Sequence, residues 1–259
     1  RFLSIDQLID ASDVIDIVTP TINHYECADS ALKAGKHVFI EKPVVSTPEE
    51  AQKLINTAEE AQVKVQVGHV ERFNPAFLSV QDKIDSPMFI ETHRLAQFNP
   101  RGTDVPVVLD LMIHDLDIIL STVKARLRKV SASGVAVVSD TPDIANARLE
   151  FDNGCVANLT ASRISMKNMR KSRFFQKNAY ISVDFHNHVL SIYKKGAKEM
   201  HPGIPEIVCE KSTCVNNDAL NLEVVAFLDS IINNTPVVVS GEDGRRALDA
   251  AIRISTLLN

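Results

Sequence analysis

Val14-Ile15-Asp16-Ile17-Val18, then His37-Val38-Phe39-Ile40-Glu41-Lys42-Pro43, then Val63-Lys64-Val65-Gln66-Val67 mark out the stretch from Val14 to Gly68, and their spacing decides the fold. Each is a short β-branched or apolar run, and amphipathic segments separate them, which is the pattern of βαβ units around a parallel sheet. Thr19-Pro20 breaks the first strand, and Tyr25 to Ala34 reads as a helix ending at Gly35, a residue suited to a left-handed cap. Thr47-Pro48-Glu49-Glu50 opens the next helix, which runs to about Ala61. Thr47 serves as N-cap, Pro48 takes the first helical position, and Glu50 completes a capping box.

Past Gly68 the pattern changes. A helix is expected over Pro75 to Ile84, a strand over Met88 to Gln97 and an apolar helix over Asp110 to Thr122. Strands then dominate: Arg126 to Val138, Ile144 to Phe151, Cys155 to Ser162, Ala179 to Asp184 and Val189 to Tyr193, with a hairpin turn at Asp152-Asn153-Gly154. Helices over Asn216 to Asn233 and Glu242 to Leu258 close the chain. The expectation is an α/β protein in two domains, residues 1–70 and 71–259, the second holding a large, mostly antiparallel open sheet.

Composition narrows the function. With 259 residues and 45% apolar content the chain can bury real cores, and its net charge of −5 supplies no general basic field for nucleic acid. Cys27, Cys155, Cys209 and Cys214 form no CxxC pair and suggest neither a disulfide framework nor a zinc site, so they read as reduced thiols of a cytoplasmic protein. No apolar run approaches the roughly 20 residues that span a bilayer.

Two motifs carry chemistry. Glu41-Lys42-Pro43 ends a buried strand, where open α/β sheets bind ligands, and Pro43 stops the strand and holds the turn that carries Lys42. By itself such a lysine beside a glutamate is as readily a solvated ion pair. Asp110-Leu111-Met112-Ile113-His114 sets an acid and a histidine four apart on one helix face, able to meet the same ligand. By itself this is more often an N-cap and a satisfied helix histidine.

Together, and in this order, the motifs resemble the catalytic Lys, Asp and His of the glucose-fructose oxidoreductase/inositol dehydrogenase/MocA family. Gly68-His69-Val70-Glu71-Arg72-Phe73-Asn74-Pro75 resembles the segment where that family's chain leaves its nucleotide domain. Thr19-Pro20 with Asn23-His24 is similar to the loop under the nicotinamide half of the cofactor. The wording of the 69–75 and 110–115 segments is most similar to the branch acting on UDP-N-acetylhexosamines, the UDP-N-acetylglucosamine 3-dehydrogenase type.

The resemblance implies the later half of a Rossmann domain followed by a substrate-binding and oligomerisation domain. It implies NAD or NADP as cofactor, and Thr19, Pro20, Asn23, His24, Glu41, Lys42 and Arg72 as cofactor-binding residues. It also implies Lys42, Asp110 and His114 as the catalytic set, and a homodimer or homotetramer built through the C-terminal sheet. The expected reaction is oxidation of a secondary hydroxyl, at C3 of a UDP-N-acetylhexosamine, in surface-polysaccharide or lipid A precursor synthesis. The alternatives are a polyol or inositol dehydrogenase and a non-catalytic ligand-sensing regulator on the same fold.

Such a fold opens with a Gly-x-Gly-x-x-Gly turn, which the 259 residues do not contain. About 60 residues, two βαβ units, are therefore expected ahead of Arg1. The basic stretch Arg163, Lys167, Arg170, Lys171, Arg173 is a candidate for a substrate diphosphate, with Arg163 and Lys167 foremost, or else a charged strand edge. His186 and His188 sit two apart but are flanked as a hairpin turn would be, and no metal is expected. His69, Glu71 and Asp115 are secondary site candidates.

Overall fold

A computed structural model describes residues 4–99, 105–215 and 217–258. In chain order the elements are α1 (Ile5–Asp10), β1 (Val14–Ile17), α2 (His24–Lys33), β2 (His37–Glu41), α3 (Pro48–Glu60), β3 (Val65–Gly68), α4 (Pro75–Leu78) and β4 (Phe89–Leu95). A π-helical turn over Val108–Met112 leads into α5 (Ile113–Thr122). There follow β5 (Leu127–Val135), β6 (Ile144–Phe151), β7 (Val156–Ser162), β8 (Met169–Gln176), β9 (Ala179–Asp184), β10 (Val189–His201), β11 (Ile204–Thr213), α6 (Ala219–Ile232) and α7 (Gly241–Thr256).

The chain divides into two compact units: residues 4–72 with 218–250, and residues 73–217 with 251–258. The sequence placed 218–250 with the second domain. These residues pack with the first unit because α6 and α7 bury their apolar faces against β2 and β3: Phe227 meets Phe39 with ring centroids 5.9 Å apart, and Gly244 lies against Val67.

In the first unit β1, β2 and β3 form a parallel sheet in that order, joined by α2 and α3. Val38, Phe39 and Ile40 are buried at the centre, each contributing about 1.5–3 kcal/mol by removal from water. The local signals behave as read. Gly35 adopts φ 73°, and Thr47 and Glu50 form the reciprocal capping box behind Pro48.

The second unit is an eight-stranded sheet in the order β11-β10-β9-β8-β4-β7-β6-β5, antiparallel throughout except for the parallel pair β4–β7. One face is apolar and buried, with Ile90, Phe174, Ile181, Leu159, Ala147 and Leu149 among its residues. The other carries a ladder of half-buried rings, Phe89, Phe175, Tyr180 and Tyr193, with successive centroids 5.8, 4.7 and 4.9 Å apart.

Three expectations shift. The helix begun at Pro75 stops at Leu78 and gives way to a 3-10 turn over Gln81–Lys83, so that Phe77 and Val80 are both buried. The basic stretch after Ser162 continues into a strand, β8. The strand begun at Val189 runs to His201 and returns as β11, along a ladder that shifts register at Glu199 and His201.

Candidate active site

The first unit assembles its polar residues at the C-terminal ends of its strands. His24, buried at the start of α2, lies between two loops: Nε2 is 2.8 Å from the Thr19 carbonyl oxygen and Nδ1 is 3.0 Å from that of Pro43. One side chain thus holds the loop after β1 to the loop after β2. Around it Thr19, Pro20 and Asn23 are exposed, and so are two apolar side chains, Val18 and Ile22, at 69% and 79%. An exposed apolar rim beside polar loop atoms suits a flat, partly polar ring.

Glu41 and Lys42 stand at the end of β2, both half-buried, ahead of a cis Lys42-Pro43 peptide. The Lys42 amide donates to Glu41 Oε2 at 3.2 Å. Burial raises the Glu41 carboxyl above its ordinary range, and the negative charge of Asp16 adds to this against the Lys42 amide and ammonium. Gly68, paired with Glu41 across the sheet, leaves room for that side chain: a Cβ there would lie 3.0 Å from Glu41 Oε2. Arg72 is mostly buried, with Nη2 3.7 Å from Asp243 Oδ1 at the start of α7.

The second unit holds the other motif. Asp110 lies in the π-helical turn, half-buried, its amide donating to the Pro106 carbonyl at 2.9 Å. His114 is the second residue of α5 and half-buried, whereas Ile113 and every residue from Asp115 to Leu120 are buried. Asp110 and His114 therefore sit one turn apart on one continuous helical segment, Asp110 in the wider turn that recurs at functional sites. Directly after His114, Asp115 is held by Arg94 of β4 through two bonds, Nε to Oδ2 at 3.1 Å and Nη2 to Oδ1 at 2.9 Å. The sequence ranked Asp115 as secondary and did not single out Arg94. Its signal was parity, because Arg94 shares the inward face of β4 with Ile90 and Thr92.

The basic stretch divides. Arg163 is buried: its amide donates to the Asp143 carbonyl at 2.9 Å and its guanidinium to the Val105 carbonyl, just upstream of the turn that carries Asp110. Asp143 in turn accepts from the amides of Val137, Val138 and Ser139 at 2.8, 2.7 and 3.0 Å. Burial alone would raise its pKa, but these amides outweigh it and hold the carboxyl below its ordinary range. Lys167 and Arg170 are exposed, and Arg173 pairs with Glu91 at 2.6 Å. His186 is exposed and His188 half-buried in a turn where Asp184 accepts from the amides of His186 and Asn187. No group of three or more metal-type ligands occurs among the described residues.

Residues 1–69 match the family model described as an oxidoreductase family with an NAD-binding Rossmann fold, and residues 86–181 match the GFO/IDH/MocA C-terminal domain. A UDP-N-acetylglucosamine 3-dehydrogenase of Acidithiobacillus ferrooxidans is 42% identical over 254 residues, covering 98% of this chain and 81% of that protein. The chain belongs to the Gfo/Idh/MocA family. A solved structure of that enzyme superposes with TM-score 0.94 at 41% identity, covering 99% of this chain and 82% of the other. The scyllo-inositol 2-dehydrogenase (NAD(+)) of Bacillus subtilis is more distant, 26% identical over 93% of this chain and 73% of its own.

As a Gfo/Idh/MocA protein the chain is an NAD-dependent oxidoreductase, a Rossmann-type unit followed by a unit with a large mixed sheet. Among the described residues no helix is long and apolar enough to cross a membrane.

Proposed function

We propose that this protein oxidises the C3 hydroxyl of a UDP-N-acetylglucosamine-type sugar with NAD, using Lys42, Asp110 and His114. The observation that carries the reading is the 42% identity to a UDP-N-acetylglucosamine 3-dehydrogenase along 98% of the chain. Beside it stand a strand-end lysine and an Asp–His pair one helical turn apart.

When bound, NAD accepts the hydride that leaves the alcohol carbon. Thr19, Pro20, Asn23, Glu41 and Lys42 fit its nicotinamide half, with the apolar rim beside them and buried His24 tying their loops together rather than reaching the ring. Arg72 is the remaining cofactor-side candidate. Loss of hydride requires loss of the hydroxyl proton in the same event, and an imidazole titrates where it can accept that proton near neutral pH. His114 takes this role. The Lys42 ammonium donates to the oxygen and stabilises its developing charge. Asp110 binds a neighbouring sugar hydroxyl or orients the imidazole.

For the diphosphate, exposed Lys167 is the stronger candidate, since the Arg163 guanidinium bonds a backbone carbonyl. The proposed setting is the cytoplasm, in surface-polysaccharide or lipid A precursor synthesis. The ring ladder on the large sheet supports assembly of a homodimer or homotetramer through that face, which light scattering of the full-length protein tests.

The deciding experiment offers the full-length enzyme UDP-N-acetylglucosamine, inositol and glucose with NAD and follows the absorbance of reduced nicotinamide. Turnover with the sugar nucleotide at a kcat/KM at least ten times that of the others supports the reading. Preference for inositol replaces it with the polyol reading. Cofactor binding without turnover on the whole panel replaces it with the sensor.

A further inference from the structure

Helix α5 is unusual in being buried on nearly every side, His114 alone of its first eight residues being half-buried. Ile113, Leu116, Ile118, Ile119 and Leu120 are all buried, and the N-cap position, Met112, makes no side-chain capping bond. Apolar packing is non-directional, and a helix buried all round has no single stripe to set its rotation. Yet His114 must point one way for proton transfer.

The Arg94–Asp115 pair supplies a direction at the residue next to His114. Its two parallel bonds join the residue after His114 to β4, a strand flanked by β7 and β8 inside the eight-stranded sheet, with side chains 3% and 1% exposed. Guanidinium and carboxylate planes meet in a fork that fixes both distance and angle. A buried ion pair is also a poor device for stability alone, since apolar residues of similar volume commonly serve as well. What such a replacement forfeits is orientation.

We infer that the Arg94–Asp115 pair sets the rotation of α5 and so aims His114, making Arg94 and Asp115 positioning residues for the proton-transfer step. The inference rests on the reading of His114 as the base. Asp110, in the π-helical turn that runs into α5, is carried by the same register.

The test uses the full-length enzyme with UDP-N-acetylglucosamine and NAD. It compares Arg94→Met/Asp115→Leu, Arg94→Lys and, as the control on the underlying reading, His114→Ala. The double variant is expected to keep its Tm and its KM for NAD while kcat falls ten- to a hundredfold, as a misplacement of about 1 Å costs. Its crystal structure should show the His114 ring displaced or in several orientations. Arg94→Lys, which keeps the charge but not the fork, should not restore kcat. A double variant with unchanged Tm, kcat and His114 position overturns the inference. If the double variant does not fold, a folded Arg94→Lys enzyme with unchanged kcat overturns it equally. Undiminished turnover by His114→Ala sinks the proton-transfer reading instead, and the crystallographic displacement still decides whether the pair aims the helix.

Discussion

The turn that carries Lys42 and the helix that carries His114 reach their positions by opposite means. Lys42 is placed by its own neighbourhood: a short buried strand, Pro43 immediately after it, and a helix begun at Thr47 by a complete capping box. From elsewhere in the first unit the His24 ring reaches in to the Pro43 carbonyl. His114 lies on a helix buried nearly all round and entered through a π-helical turn, and polar atoms that fix this region come from distant segments. Arg94 reaches it across 21 residues and Arg163 across 58 to Val105. The difference teaches where each half is fragile: local chemistry protects the first, tertiary directionality the second.

The largest expected effect treats both halves alike. Lys42→Ala and His114→Ala, each in the full-length enzyme, should lower kcat by about 10²–10⁴-fold, the usual span for a general acid or base. Tm should change little, because both side chains are only half-buried. Unchanged turnover in either removes that residue from the proposed set.

Next in size is the tertiary support of the second half. Asp143→Ala leaves the amides of Val137, Val138 and Ser139 without their shared acceptor and loosens the segment whose carbonyl receives Arg163. A cost of about 3 kcal/mol is expected at neutral pH from bonds to a charged acceptor. The sign of its pH dependence follows from the depressed carboxyl pKa. The folded state favours the ionised form, so the stabilisation is full above the unfolded value of about 4 and fades as pH falls below it. Tm of wild type and of Asp143→Asn, measured from pH 7 downward, should therefore converge in acid. A gap that widens on acidification contradicts the account.

The same contrast explains what could be read from the sequence. Gly35, the Thr47 capping box and the strand ending at Glu41 were legible because each signal lies within a few residues of its effect. Lys42, Asp110 and His114 were legible as a set through resemblance, since neither motif alone outweighs its structural alternative. Strand β8 was half legible, as a charged strand edge: Lys171 and Arg173 alternate with inward Ser172 and Phe174, but its place between β4 and β9 inside the sheet depends on pairing with distant segments. Strand β11 has almost no buried face, and its ladder with β10 rather than any periodicity holds it. Arg94 was obscured in a similar way, because nothing near it in sequence announces Asp115, 21 residues on.

A smaller effect probes the reach of His24 into the loop that carries Lys42. His24→Leu keeps the buried volume but removes the ring nitrogens facing the Thr19 and Pro43 carbonyls. About 2 kcal/mol of stability should be lost, the cost of leaving a buried acceptor unsatisfied. Because these loops carry the nicotinamide-side candidates, KM for NAD should rise more than KM for the sugar. Equal changes in both would separate His24 from the cofactor side.

The smallest expected effect is the sharpest test of local control. Thr47→Ala removes the side chain that accepts from the Glu50 amide and should cost about 1 kcal/mol, read as a drop in Tm. The Thr47 and Ser46 amides still donate to Glu50 Oε2 at 3.1 Å, so the start of α3 should fray rather than move. Val44 and Val45, buried between Lys42 and the cap, anchor the intervening chain by apolar contact. On these grounds kcat should stay at the wild-type value. A fall in kcat beyond about twofold would mean that the position of Lys42 is borrowed from α3, and that the first half, too, depends on an element beyond its own turn.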